Sequence, residues 1–136
     1  MDLLLDTADL AEVEHALQYY PIKGVTTNPT MLSRLEQTHV LSHLKAIRAL
    51  IGDERDLHVQ LMARDRETMI REAHHLATQL GEQTFIAVPV TEVGLSVIKQ
   101  LAQEGLNITA STVFSTIQGI LAMLSGARYV AVFYDR

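Results

Sequence analysis

The sequence contains no cysteine among its 136 residues. It can therefore form no disulfide, offer no thiolate to a metal and supply no cysteine nucleophile. Tryptophan is also absent, and the net charge of −5 comes without any run of Lys and Arg. Because contact with a phosphate backbone requires grouped cations, we do not expect nucleic acid as a partner.

Targeting segments and long apolar runs are missing as well. The start of the chain, Met1 to Asp6, has neither the basic beginning nor the long apolar stretch of a signal peptide. The most apolar region, residues 117–134, is interrupted by two glycines and by Gln118, Ser125 and Arg128, so it does not read as a membrane span. We expect no membrane partner and a cytoplasmic location, with which the lack of cysteine is compatible.

The overall composition is that of a globular protein. Hydrophobic residues make up 48% and charged residues 20%, which are ordinary proportions for a folded domain. A chain of this length can bury a core of its own. We expect a single domain over residues 1–136.

Short apolar runs alternate with longer segments of helical periodicity. The predicted strands cover residues 3–5, 24–27, 57–61, 84–90, 106–110 and 129–134. Four glycines, Gly52, Gly81, Gly105 and Gly126, each follow a helix and precede a strand. Strands that alternate with helices pair in parallel through right-handed crossovers. Six such units suit either a doubly wound open sheet or part of a (β/α)₈ barrel.

Several residues mark the predicted helices. Thr7 and Thr91 precede periodic segments and are expected to cap them, and Thr38 is expected to open another helix. In the helix opened by Thr38, Arg48 falls outside the apolar stripe. The last predicted helix carries the apolar residues Phe114, Ile117, Leu121 and Leu124.

The first turn after a strand argues against a nucleotide-binding open sheet. Such sheets usually place a glycine-rich phosphate loop there. In this chain the first strand instead runs into Asp6-Thr7-Ala8-Asp9, which contains no glycine.

Polar residues stand at the ends of four different strands, where barrel sites are built: Asp6, Asn28, Gln60 and Ser111. Each alone has a structural explanation. Asp6 could cap a helix, Asn28 could make a turn before Pro29, Gln60 could satisfy buried backbone, and Ser111 could cap the following helix. Their shared placement is what favours a functional site.

Alternation along the strands indicates which side chains point inward. His58 and Gln60 share one face of the third strand, and the opposite face is the more apolar one that should pack against helices. We therefore expect Gln60 inside, and His58 inside near the closed end. His39 and His43 have a spacing that can bind metal on a helix, but no third ligand is evident nearby.

Several motifs recur in an order and spacing that resemble one known family. They are Leu5-Asp6-Thr7, Gly24-Val25-Thr26-Thr27-Asn28-Pro29-Thr30, Val59-Gln60, Val88-Pro89-Val90-Thr91, Gly94-Leu95, Gln118-Gly119 and Gly126-Ala127-Arg128-Tyr129-Val130-Ala131. Together they span essentially the whole chain and look like the transaldolase and fructose-6-phosphate aldolase family of small class I aldolases.

The resemblance implies a (β/α)₈ TIM barrel, of which this chain would supply about six βα units as an incomplete barrel. It implies Schiff-base cleavage or transfer of a dihydroxyacetone unit from fructose 6-phosphate or a related ketose. It implies no metal and no organic cofactor, a sugar-phosphate or small ketose as the partner, and a homo-oligomer.

The resemblance also implies roles for individual residues. Asp6 matches an acidic residue that handles protons beside the nucleophile. Thr26 and Asn28 match the substrate-binding segment, with Asn28 on substrate hydroxyls. Gln60 and Ser111 match groups that hold the catalytic water. Arg136 matches an arginine that binds the substrate phosphate, a task for which its planar cationic fork is suited.

Two positions depart from the family pattern. Ala87 stands where the family has the lysine that forms the Schiff base, and alanine has no amine. Phe133 stands where the aldolases have a tyrosine and resembles the transaldolase pattern instead. The three lysines, Lys23, Lys45 and Lys99, occupy other parts of the sequence and read as surface charges.

Three hypotheses remain open from the sequence. The chain could be a lysine-lacking form of a Schiff-base aldolase or transaldolase, or a non-catalytic sugar-phosphate-binding or structural relative. The third, an unrelated parallel α/β binding module, is disfavoured by the ordered motifs.

Overall fold

The computed structural model describes residues 1–132, with backbone alone at positions 37 and 38, so Phe133 and Arg136 lie outside the described residues. In chain order the elements are β1 (Leu4–Asp6), α1 (Leu10–Tyr19), β2 (Gly24–Thr26), α2 (Pro29–Leu32), α3 (Gln37–Ile51), β3 (Asp56–Gln60), α4 (Arg66–Leu80), β4 (Thr84–Pro89), α5 (Glu92–Gln103), β5 (Asn107–Val113), α6 (Thr116–Ser125) and β6 (Tyr129–Val132).

The six strands form one sheet whose spatial order is the order of the chain. Every neighbouring pair is parallel. A doubly wound sheet would reverse its strand order at a switch point, whereas consecutive parallel strands joined by helices are the units of a (β/α)₈ barrel. The expectation of an incomplete barrel of about six βα units is confirmed.

The two faces of the sheet differ as the alternation predicted. Side chains of one parity, including Leu57, Val59, Ile86, Val88 and Ile108, are buried in the apolar cluster that also contains the helices' inward residues. This outer face of the sheet therefore packs against the helices. The opposite parity faces the barrel interior, which we call the inner face.

The N-terminal helix cap differs from the prediction. Asp9 caps α1, because its carboxylate accepts from the backbone N–H groups of Ala11 at 2.8 Å and Glu12 at 3.1 Å. Thr7 is buried two residues earlier and donates its hydroxyl to the Glu12 carboxylate. Neither Thr7 nor Asp6 is the cap, because α1 begins at Leu10 and Asp9 directly precedes it.

Of the other two predicted helix starts, one is confirmed and one is wrong. Thr91 caps α5 as expected, its hydroxyl accepting from the Gly94 N–H at 2.9 Å. Helix α3 begins at Gln37 with Glu36 as its N-cap residue, so the prediction that it opens at Thr38 is wrong by one position. Glu36 makes no side-chain cap hydrogen bond, so the start of α3 carried no capping signal in the sequence.

Arg48 is buried, although it lies outside the predicted apolar stripe of α3. Its guanidinium donates to the carbonyls of Leu80 at 2.7 Å, Gly52 at 3.0 Å and Arg55 at 2.6 Å. Carbonyls at the last turn of a helix lack partners within the helix, and the arginine supplies them at the ends of both α3 and α4. Burial lowers the pKa of Arg48 below its ordinary value.

The C-terminal part of the chain contains a longer strand than predicted. β5 continues past Ala110 to Val113, and Ser115 caps α6 in a capping box with Gln118. Ser111 therefore belongs to the strand and does not cap the helix. In α6 the predicted apolar residues Ile117, Leu121 and Leu124 are exposed, whereas Ala122 is buried in the core.

Candidate functional site at the carboxyl ends of the strands

The structure places five of the predicted site residues on the inner face or at the ends of its strands. Asp6 is level with Thr26 across β1 and β2, and Gln60 is level with Ala87 across β3 and β4. Ser111 lies on the adjoining β5. Neighbouring strands lie about 4.8 Å apart, so Gln60, Ala87 and Ser111 belong to one continuous patch, whereas Asp6 is three strands away from β4.

These residues differ in how accessible their polar groups are. Asp6 is exposed, Thr26 and Gln60 are half-buried, and Ser111 is buried. A carboxylate can accept a proton, and amide and hydroxyl groups can both donate and accept hydrogen bonds. The patch can therefore bind the hydroxyls of a polar ligand or hold a water.

Asn28 has a structural task that the sequence did not indicate. Its side-chain Oδ1 accepts from the Met31 N–H at 2.9 Å and thereby caps the short helix α2, which was not predicted. The Nδ2 group is then the part of this amide that can donate to a ligand. Thr27 is committed too, since its hydroxyl donates to the His58 carbonyl at 3.0 Å and ties β2 to β3.

Ala87 lies on the inner face between two polar neighbours. Its Cα is level with that of Gln60 on one side and that of Thr109 on the other, and the residue is 9% exposed. A methyl group offers no nucleophile at this position. Lys23, Lys45 and Lys99 are all exposed, before β2, on α3 and on α5.

The backbone next to Ser111 is irregular. Thr112 has a φ of +59°, which is rare for a β-branched residue, and the register between β5 and β6 shifts between Ala110 and Val113. Such bulges are common beside active sites, where they re-aim a side chain. The Ser111 hydroxyl is buried and has no hydrogen-bond partner within the described residues. A buried hydroxyl in that state is suited to hold a water or a ligand group.

A layer beneath this patch was only partly foreseen. His58 is 3% exposed, and its Nδ1 makes a 2.8 Å hydrogen bond with the Thr109 hydroxyl. The imidazole stacks on Phe85 with ring centres 4.6 Å apart and meets the edge of Tyr129 at 5.3 Å. Burial lowers the pKa of His58 to about 4, so the ring is neutral at pH 7. Its inward position followed from alternation, whereas these contacts carry no sequence signal.

The cavities do not coincide with this patch. One of about 360 Å³ lies beside the β1 and β2 ends, lined by residues that include Thr7, Arg34 and His43. Another of about 650 Å³ lies at the opposite end of the strands, near Gly81 and Asn107. Barrel sites are assembled from loops at the carboxyl ends of the strands, so the second cavity, although larger, is not at the position of a barrel active site.

Residues 1–132 offer neither a metal site nor a membrane-spanning helix. No group of three or more His, Asp or Glu side chains there comes together in a way that could hold a metal ion. His39 instead lies 3.8 Å from Glu36, and the His43 ring contacts the carbonyl of Ala8. In the same range, no helix combines the length and hydrophobicity needed to cross a membrane.

Solved structures with the same arrangement of strands and helices are barrel enzymes. Dihydrodipicolinate synthase from Rhodopseudomonas palustris superposes with a TM-score of 0.66 at 12% identity, covering 98% of this chain and 53% of that one. An enolase from Bradyrhizobium, complexed with magnesium and mandelic acid, gives a TM-score of 0.64 at 17% identity, covering 95% and 37%. At these identities the likeness defines the fold class alone.

The sequence comparison is more specific. The model of the Transaldolase/Fructose-6-phosphate aldolase family matches residues 3–136, and the chain belongs to this family. A protein of Streptococcus pneumoniae (strain ATCC 700669 / Spain 23F-1), named a probable fructose-6-phosphate aldolase, is 40% identical over 136 residues. The match covers 100% of this chain and 61% of that relative, so the chain spans less than two thirds of the relative's length.

Proposed function

We propose that the chain binds a small ketose or sugar phosphate at the carboxyl ends of its strands and forms no Schiff base with it. The observation that carries the proposal is the alanine at position 87. It occupies the inner face beside Gln60 and Thr109 in a chain of an aldolase family, where the resemblance implies a lysine.

The missing amine removes the step on which class I aldolase chemistry depends. In that chemistry a neutral lysine amine attacks the ketone carbon, water leaves, and the resulting iminium accepts the electrons of the breaking carbon–carbon bond. The methyl group of Ala87 can do none of this. We therefore expect no cleavage of fructose 6-phosphate and no transfer of its dihydroxyacetone unit by this chain.

The remaining site residues keep the chemistry of ligand binding. We assign Thr26 and the Nδ2 group of Asn28 to substrate hydroxyls, and Gln60 with Ser111 to a water above Ala87. Asp6 would handle a proton if a nucleophile were restored.

Phe133 and Arg136 lie outside the described residues, and their roles rest on the sequence resemblance alone. Arg136 would hold a phosphate through its planar cationic fork. Phe133 would leave the site without the hydroxyl that a tyrosine provides. We further propose that the protein acts in the cytoplasm as a homo-oligomer.

Borohydride trapping tests the proposal. The chain is incubated with dihydroxyacetone or fructose 6-phosphate, reduced and weighed by intact-mass spectrometry, and we expect no stoichiometric adduct. Ala87→Lys should gain the adduct, whereas Ala11→Lys, which adds an exposed lysine on α1, should not. A substrate-sized adduct on Lys23, Lys45 or Lys99 of the unaltered chain would refute the assignment of position 87.

The second candidate function concerns the origin of this behaviour. Binding without catalysis would be the native activity of the chain, and not what remains of an aldolase altered at position 87. The buried Ser111 hydroxyl, which has no hydrogen-bond partner within the described residues, favours a retained ligand or water site. Titration of fructose 6-phosphate into the ¹⁵N-labelled chain should shift amide signals at the ends of β3 and β5. Shifts confined to the opposite ends of the strands would contradict binding at this site.

A further inference from the structure

His58 and Thr109 make a hydrogen bond across an intervening strand. His58 belongs to β3 and Thr109 to β5, and β4 lies between them in the sheet. The Nδ1 and Oγ1 atoms are 2.8 Å apart, so the bond passes over the inner face of β4. We call this contact the His58–Thr109 bridge.

The bridge passes close to Ala87. The imidazole stacks on Phe85, with the ring centres 4.6 Å apart and the ring planes at 11°. Ala87 is the next residue of β4 on the same face, and its Cα is level with that of Thr109. Phe85, Ala87 and Thr109 are all buried, which places the His58–Thr109 bridge in the packed interior over this part of β4.

A longer side chain at position 87 would need that same space. Methionine adds three heavy atoms beyond Cβ and lysine adds four, and both would rise from β4 where the bridge crosses it. Protein interiors are packed closely enough that such added atoms displace their neighbours. The imidazole is the neighbour that we expect to be displaced. A single hydrogen bond, from Nδ1 to Thr109, holds it, and its Nε2 has no partner within the described residues.

We propose that His58 is a positioning residue that fits the inner face to a small side chain at position 87, because the His58–Thr109 bridge and a long side chain there exclude each other. The function proposed above says only that alanine lacks an amine. The surroundings of position 87 are in addition fitted to alanine, so that lysine alone restores the site only in part.

His58 itself provides the measurement. Burial lowers its pKa to about 4, and displacement into water would return the pKa toward the ordinary value of 6.5. The ring contacts Phe85, Thr109 and Tyr129, of which the phenol is the titratable one. The tyrosine stays protonated at the pH values used, so a change in the His58 titration reports the position of the ring.

The first experiment replaces alanine with an uncharged long side chain. In Ala87→Met, we expect the His58 ring signals, followed by NMR with labelled histidine, to titrate nearer 6.5 than 4 and to lose the Nδ1 hydrogen-bonded shift. The matched control is Ala131→Met, which enlarges an exposed alanine two residues beyond Tyr129. It should leave the His58 titration near 4, and an unchanged titration in Ala87→Met would overturn the inference.

A second variant covers the case in which Ala87→Met does not fold. His58→Ala in the same chain removes the ring that the methionine would displace, and we expect the double variant to fold with a melting temperature above that of Ala87→Met. A double variant no more stable than Ala87→Met would refute mutual exclusion.

The lysine arm rests on the proposed function, whereas the methionine arm does not. Ala87→Lys combined with His58→Ala should trap several-fold more ketose adduct than Ala87→Lys alone, because the bridge no longer competes with the amine. If methionine displaces His58 but neither lysine variant forms an adduct, the packing inference stands and the proposed function fails. If both lysine variants trap equally, His58 does not restrict position 87 and the inference is refuted.

Discussion

The stability of this chain is expected to fall on mild acidification because His58 is buried in its neutral form. The unfolded chain gains a proton on this histidine near pH 6.5, whereas burial holds its pKa at about 4 in the folded chain. Between these values the unfolded state binds more protons, so the free energy of unfolding decreases as the pH falls. The stabilisation is present above pH 6.5 and is lost toward pH 4.

The size of the effect follows from the two pKa values. Each tenfold difference in proton affinity corresponds to about 1.4 kcal/mol, so a pKa near 4 instead of 6.5 gives about 3 kcal/mol at the acid limit. Because His58 is 3% exposed, solvent screening does not reduce this figure much. A loss of this size is a large part of the 5–15 kcal/mol (roughly) that stabilises a typical domain.

The assay is urea unfolding followed by circular dichroism at several pH values between 7.5 and 4.5, for the unaltered chain and for His58→Phe. Phenylalanine keeps a ring that can stack on Phe85 but does not titrate. The difference between the two chains cancels other groups, including Asp56, whose buried carboxyl has a raised pKa and the opposite pH dependence. Between pH 7.5 and 4.5 the free energy of unfolding of the unaltered chain should fall by about 2.5 kcal/mol relative to that of His58→Phe, and a difference independent of pH would refute the burial argument.

Two further predictions concern residues away from the candidate site. Arg48→Met should lower the melting temperature by roughly 10 °C, since three backbone carbonyls lose their donor and about 3 kcal/mol is lost, while Arg64→Met at an exposed position should change it little. An Arg48→Met melting point equal to that of Arg64→Met would show that those bonds add nothing. Leu124 is 79% exposed on the apolar face of α6, so Leu124→Glu should reduce self-association measured by light scattering, and an unchanged mass would exclude that face.

The outer face of the sheet could be predicted from the sequence because burial on one side leaves a period of two. Leu57, Val59 and Ile86 had to face helices for their apolar area to be buried, and they do. Parallel pairing followed from the alternation of strands and helices, since parallel neighbours need a crossover between them. The sequential order of a barrel, in contrast, was implied by the family resemblance. Glycines at positive φ ended α3 and α4 as their places in the sequence suggested.

The errors arose where distant parts of the chain decide the outcome. Arg48 could not be placed from its own helix, because its partners come from residues 52, 55, 80 and 84. The cap of α1 was misplaced because Asp6, Thr7 and Asp9 are all acceptable cap residues, and of these Asp9 is the one that directly precedes the helix, which begins at Leu10. The strained Thr112 has no sequence signal, since glycine is the residue usually expected at that φ.

The neighbours of Ala87 bear on whether alanine is the native residue at this position. A lysine simply cut back to alanine on a close-packed surface would leave its former neighbours around an unfilled space, and such spaces are costly. In this chain only 9% of the Ala87 surface is exposed, and the His58–Thr109 bridge crosses the strand that carries it. The non-catalytic hypothesis requires such a fit, whereas a chain altered at position 87 alone has no reason to show it. The Ala87→Met titration therefore also distinguishes these two histories, because a freely accepted methionine would mean that the surroundings have room for a long side chain such as lysine.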